Sequence, residues 1–189
     1  MRIFGVDPGS AHTGYGCIDT SGGRHRILAC GALSPPARSA FPEKLRAIHD
    51  GLAALIAEHR PETVAIEDLF YARNARSALK LGHVRGVVML AASEAGLPVV
   101  EYAPAEVKRA VVGYGRAEKQ QVQQMVGLLL GLDPPPSRLD VTDALAVAVC
   151  HAHSIRPDAA DEQPAAPGGA PRSWRQYRPR RDAVTVRRP

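Results

Sequence analysis

Residues 2–33 read RIFGVDPGSAHTGYGCIDTSGGRHRILACGAL, and the fold is decided there. Ile3-Phe4-Gly5-Val6 is a short apolar run that fits a buried strand over 2–7. Gly9, Gly14 and Gly16 punctuate a turn and a second strand over 12–19. Gly22-Gly23 signals a hairpin, and a third strand follows over 25–33. Pro35-Pro36 closes this meander. Beyond it the pattern alternates. Leu45, Ile48, Leu52, Leu55 and Ile56 put one apolar face on a helix over 42–59. Pro61 separates that helix from a strand over 62–67. A helix spans 74–95, with Asn74 as a candidate N-cap and Gly96 at its C-terminal side. A strand over 98–102 and helices over 104–112, 117–131 and 137–154 complete the order. A three-stranded meander followed by α/β alternation predicts an α/β fold, a mixed sheet flanked by helices.

Composition narrows the class. The 189 residues suit one domain plus a tail, and an apolar fraction of 45 % supports a real core. No run of apolar residues is long enough to span a membrane. The chain starts directly on a strand-like run, so no signal peptide is expected. Cys17, Cys30 and Cys150 are odd in number and widely spaced, which argues against a disulfide framework or a zinc site and fits a reducing, cytoplasmic setting. The net charge of +5 is unevenly spread. Residues 156–189 hold eight arginines against four acids, which leaves sixteen basic and fifteen acidic residues in 1–155. Pro, Ala, Gly and Arg dominate after about residue 156 without periodicity. The expected organisation is a domain over 1–155 and a disordered basic tail over 156–189. Such a tail fits non-specific, salt-sensitive DNA affinity or a solubilising extension.

Four acids carry the chemistry. Asp7 ends the first strand, Glu67 ends the fourth, and Asp140 and Asp143 lie one turn apart near the start of the last helix. Each has a plain reading by itself. Asp7-Pro8-Gly9 suits a turn, and Glu67-Asp68 suits solvated carboxylates where a strand ends. Ser137-x-x-Asp140 resembles a capping box, with acids favoured in a first helical turn. Asp143 fits that account less well, because Ala144-Leu145-Ala146-Val147-Ala148-Val149 makes the helix apolar directly after it. Residues three apart share a helix face, and on a buried helix that face needs a polar site. Together, four such carboxylates repel unless cations sit between them, and hard oxygen ligands favour Mg²⁺ or Mn²⁺. Two such ions can supply the activated water, charge neutralisation and leaving-group stabilisation that phosphodiester hydrolysis needs. The glycines after Asp7 fit a close approach of phosphate to backbone.

Other residues are weighed the same way. Leu69-Phe70-Tyr71 falls in an expected loop, where aromatics fit base stacking or DNA wedging; for Tyr71, anchoring of the loop to the core is preferred. Lys80 and Arg85 read as surface charges. His151 and His153, two apart on a helix, do not share a face and read as surface or helix-end residues rather than ligands. The helix over 74–95 is apolar over more of its surface than one buried face requires, which fits a dimer interface or a central core position.

Gly5-Val6-Asp7-Pro8-Gly9-Ser10, Thr13-Gly14-Tyr15-Gly16, Ala65-Ile66-Glu67, Asn74 through Gly82, Val107-Lys108, Ala117-Glu118-Lys119 and Asp140-x-x-Asp143-Ala144-Leu145-Ala146 closely resemble the RuvC family of bacterial Holliday-junction resolvases. The resemblance runs from residue 2 to about 154. It implies a ribonuclease H-like fold with a five-stranded mixed sheet, and a homodimer whose two sites cut opposing strands of a four-way DNA junction. It also implies symmetric nicks with 5′-phosphate and 3′-hydroxyl ends, Mg²⁺ or Mn²⁺ at two per site, and work beside RuvA- and RuvB-type branch-migration proteins. Asp7, Glu67, Asp140 and Asp143 match the family's metal-binding acids. Where some relatives carry His, this chain has Asp140. Phe70 matches the aromatic that probes the junction centre, and Lys108 and Lys119 match basic residues used on the DNA backbone. Arg73 and Arg76 are candidate junction contacts, with a solvated helix start as the equal alternative.

Three other functions fit parts of the pattern. The Asp-x-Gly…Thr-Gly-x-Gly start resembles the phosphate loop of actin-like ATPases and sugar kinases, but no second copy follows, so no nucleotide cofactor is expected. A non-catalytic DNA-binding module gains nothing from four acids aimed at phosphate. A YqgF-type RNA nuclease shares the fold, but the Asn74–Leu81 match and the Phe70 loop favour the resolvase.

Overall fold

The structure, a computed structural model, describes residues 1–68 and 75–155. Phe70, Tyr71, Arg73, Asn74 and the tail after Ile155 lie outside the described residues. The meander forms as expected: β1 (Arg2–Asp7), β2 (Thr13–Ser21) and β3 (Arg24–Leu33) run antiparallel in sequence. Gly22 and Gly23 both adopt positive φ, 55° and 76°, which a two-residue hairpin turn requires. Helix α1 (Phe41–His59) leads to β4 (Thr63–Glu67), and α2 (Ala75–Glu94) leads to β5 (Val99–Tyr102). Both β4 and β5 are parallel to β1, giving the sheet order β3-β2-β1-β4-β5. Three helices follow: α3 (Pro104–Val112), α4 (Lys119–Leu130) and α5 (Leu139–Ser154). This is a ribonuclease H-like α/β fold.

Alternation along β1 divides the core. Phe4 and Val6 point to one face, where they pack with Ile48, Leu52, Val84 and Val88 of α1 and α2. Ile3 points to the other, with Ile18, Ala65 and the helices α3, α4 and α5. From Ala144 to Cys150 helix α5 is apolar on every side and buried throughout, as a central helix must be. Fully burying each Val or Leu there contributes about 1.5–3 kcal/mol. Cys17 and Cys150 are buried, Cys30 is exposed, and all three are free thiols.

Three sequence readings change here. Ser137 does not cap α5: the N-cap is Arg138, in extended backbone, with no side-chain cap bond. His151 is in the last turn of α5, a helix-end residue as expected, but it is buried rather than on the surface, and its Nδ1 lies 2.7 Å from the Tyr102 hydroxyl. His153 is at the helix end as expected, its Nδ1 donating to the Ala110 carbonyl at 3.1 Å. Arg85 is no surface charge; its side chain is only 12 % exposed.

Candidate active site

Strand register brings the first two acids together. In the parallel β1–β4 pair, Val6 lies opposite Ile66, so Asp7 and Glu67 follow side by side at the C-terminal ends of adjacent strands. Two-residue periodicity turns both toward α5, on the face of Gly5 and Ala65. Asp7 is also paired with Gly14 on β2, which sets Gly14, Asp7 and Glu67 in a row across three strands.

Glycines let α5 descend onto that row. A Cβ on Gly14 would stand 2.0 Å from the Asp140 carbonyl oxygen, and one on Gly5 would stand 2.1 Å from that of Ala144. Gly16 similarly leaves room for Leu145. The helix backbone thus rests on the sheet with its first turn, carrying Asp140 and Asp143, above Asp7 and its neighbours. Gly5, Gly14 and Gly16 thus serve the packing of α5 on the sheet. Gly9 is also taken up internally: its carbonyl accepts from Thr13 Oγ1 at 2.8 Å, and a Cβ on it would meet the His12 carbonyl.

The resulting electrostatics are those of a crowded acidic site. Burial, then the charges of Asp143 and Glu67, push the Asp7 carboxyl up to about 7 from an ordinary 3.8, with Lys119 opposing and Asp140 adding to the rise. Burial and Asp143 also raise Glu67, against Lys119 and Lys108. Lys119, at the start of α4, bonds Asp143 with its ammonium at 3.1 Å, and Asp143 in turn raises the lysine. Asp140 departs from this pattern. Its burial would raise it, but the Arg138 guanidinium, donating at 2.7 and 3.3 Å, and the nearby His12 outweigh that, and its carboxyl sits below the ordinary range.

Asp7, Glu67, Asp143, Lys119 and Lys108 therefore share one electrostatic site, with Asp140 at its edge. Arg76 is exposed on the first turn of α2, and Phe70 and Arg73 are outside the described residues. Among the described residues no three carboxylate, imidazole or thiol groups stand close enough to grip an ion as they are; Lys119 holds Asp143 and Arg138 holds Asp140. The donor set still fits a hard divalent cation: all ligands are carboxylate oxygens, and their mutual repulsion on Asp7 is what a cation between them relieves.

Sequence reasoning missed two cations. Arg138 had no signal beyond its place two residues before Asp140. Arg85 Nη2 lies 2.6 Å from Glu101 and 3.1 Å from Asp68, while Nη1 donates to the Glu67 carbonyl at 2.8 Å.

A family model for the crossover junction endodeoxyribonuclease RuvC matches residues 3–151. The RuvC of Heliobacterium modesticaldum is 55 % identical over 155 residues, which cover 82 % of this chain and 96 % of that protein. The RuvC of Citrifermentans bemidjiense is 54 % identical over 154 residues, 82 % of this chain and 93 % of that one. Among solved structures, T. thermophilus RuvC in complex with Holliday junction substrate aligns with a TM-score of 0.78 at 36 % identity, over 81 % of this chain and 93 % of that chain.

Proposed function

The chain belongs to the RuvC family of crossover junction endodeoxyribonucleases, and on that premise we propose that it resolves four-way DNA junctions as a homodimer. Each subunit cuts one of two opposing strands, leaving 5′-phosphate and 3′-hydroxyl ends that a ligase can seal. The protein is a hydrolase of phosphodiester bonds acting in DNA recombination and repair. The observation that carries the reading is the convergence at the C-terminal ends of two interior strands: Asp7 beside Glu67, with Asp143 close enough to help push Asp7 up to about 7.

Asp7, Glu67, Asp140 and Asp143 would hold Mg²⁺ or Mn²⁺, two per site. When bound, such ions supply an activated water and charge neutralisation at the phosphate. Lys119 and Lys108 add positive charge beside the acids, where a phosphodiester otherwise meets only repulsion. Phe70, Arg73 and Arg76 make the junction contacts, and RuvA- and RuvB-type proteins deliver the junction. Residues 1–155 form the catalytic domain, and 156–189 a basic extension. The setting is the cytoplasm; no described helix is long and apolar enough to cross a membrane.

The dimer is supported by α2. Its buried face holds Val84, Val88, Ala91 and Ala92, yet Leu79 and Leu90 on other faces are 66 % and 51 % exposed. Between them, Gly82 and Gly86 open a groove of about 630 Å³. An apolar helix face with small residues suits a second copy, and a two-fold dimer matches the symmetry of an open junction.

The test is cleavage of a synthetic mobile four-way junction, with linear duplex as control, in Mg²⁺, Mn²⁺ and EDTA. Paired, symmetric, metal-dependent nicks with religatable products are expected. Binding without cutting in any metal would overturn the nuclease site.

A further inference from the structure

We propose that Arg85 is a positioning residue that holds the Glu67 strand end in place for metal binding. This rests on the reading of Glu67 as a metal-holding carboxylate.

Glu67 is the last residue of β4, where the sheet ladder runs out. The Asp68 amide donates to the Tyr102 carbonyl at 2.7 Å and prolongs the pairing to β5 by one step. The Glu67 carbonyl is bound from elsewhere: Arg85 Nη1 reaches it from α2 at 2.8 Å. The same guanidinium binds Asp68 and Glu101 through Nη2. One side chain thus joins three segments: the end of β4, the residue after it, and β5. At 12 % exposure it is far more buried than either acid partner, whose side chains are 47 % and 39 % exposed.

The grip is on the main chain, and that is what makes it functional rather than merely cohesive. Helix α2 packs on the face of Phe4 and Val6, while the Glu67 side chain points to the α5 face. Arg85 therefore fixes the Glu67 backbone from behind and leaves its carboxylate free in the site. A planar fork bonds three acceptors in fixed directions, which a lysine ammonium on a flexible stem does not reproduce.

The consequence falls on metal affinity. Without the fork, Glu67 must be ordered at the moment an ion binds, so the ion binds more weakly while the chemistry at saturation persists. The experiment measures Mn²⁺ binding by electron paramagnetic resonance without DNA, together with the Mn²⁺ dependence of junction cleavage, for the full chain and for R85Q, R85K, E101Q and E67Q. Arg85→Gln is expected to raise the Mn²⁺ dissociation constant and the half-saturating Mn²⁺ about tenfold. Cleavage at saturating Mn²⁺ should stay within about threefold of wild type. Arg85→Lys and Glu101→Gln should fall between. A purely structural role would lower the saturating rate with the folded fraction and leave half-saturation unmoved, and that result overturns the proposal. If R85Q fails to fold, E101Q decides, and unchanged Mn²⁺ affinity in it overturns the proposal. Loss of Mn²⁺ binding in E67Q with no change in R85Q or E101Q defeats the Arg85 role alone. Unchanged binding in E67Q defeats the metal-site reading with it.

Discussion

The two faces of the sheet are built by opposite means. Toward α1 and α2, β1 presents Phe4 and Val6, and the gap is filled with large side chains such as Ile48, Leu52 and Ile66. Toward α5, β1 and β2 present Gly5, Gly14 and Gly16, and helix backbone lies almost against strand backbone. The first face yields stability from apolar volume. The second forgoes side-chain volume at three places, and thereby sets two carboxylates of a helix over the end of a strand. Packing of the second kind has no slack, because a carbonyl oxygen cannot rotate away as a side chain can.

The contrast can be broken at its functional end first. Asp7→Asn is expected to lower junction cleavage by at least about 10³-fold, the scale of losing a key electrostatic group, with junction binding in EDTA retained. Cleavage near the wild-type rate would remove Asp7 from the site.

Gly14→Ala comes next. Its new Cβ would meet the Asp140 carbonyl, so α5 must shift; a stability loss of about 3 kcal/mol and a disproportionate loss of cleavage per folded molecule are expected. Phe4→Leu on the opposite face is the partner experiment. It should cost about 1–2 kcal/mol and leave cleavage per folded molecule unchanged. Equal effects on activity from the two variants would dissolve the distinction between the faces.

The raised Asp7 carboxyl makes a pH prediction. Its folded value of about 7 exceeds the ordinary 3.8, so between these pH values the folded chain keeps a proton that the unfolded chain has released. The stability from this group is fully present below about pH 3.8 and is lost as pH rises through 7, by up to about 4 kcal/mol. In EDTA at pH 8, D7N should therefore melt above wild type, and the gap should close toward pH 4. Mn²⁺ should restore the wild type but not D7N. His25 and His151, both lowered by burial, act in the opposite sense, so the difference between the two proteins is the quantity to read. The smallest effect belongs to Ser137→Ala. With Arg138 as the N-cap, it should change stability by less than about 0.5 kcal/mol; a loss near 1 kcal/mol would restore the cap read from the sequence.

How far the sequence reaches depends on the range of the interaction. Strands and helices are legible, and the candidate acids are marked out, by local pattern: Ile3-Phe4-Gly5-Val6 before Asp7, Thr63-Val64-Ala65-Ile66 before Glu67, and an apolar helix after Asp143. Arg85 is not, because its partners Asp68 and Glu101 come from other elements and nothing in the spacing of α2 marks it. His151 lies in the last turn of α5, as its position suggests, but it is buried there against Tyr102 of β5, a partner that sequence spacing does not reveal. At Gly5, Gly14 and Gly16 the close approach is that of the chain itself, a long-range contact that the spacing of the glycines does not specify. Phe70 and Arg73 lie outside the described residues and stand on the sequence alone.

The wide separation of Asp7 from Asp143 along the chain bears on biosynthesis. The proposed catalytic cluster has no local precursor, since Asp140 and Asp143 sit on a helix that is buried against strands made at the very beginning. A nascent chain that has not yet delivered α5 holds two acids and nothing to complete them. On the proposed site, nuclease competence would appear late, after the sheet exists to receive that helix, and an incomplete translation product lacking α5 would carry no cutting activity.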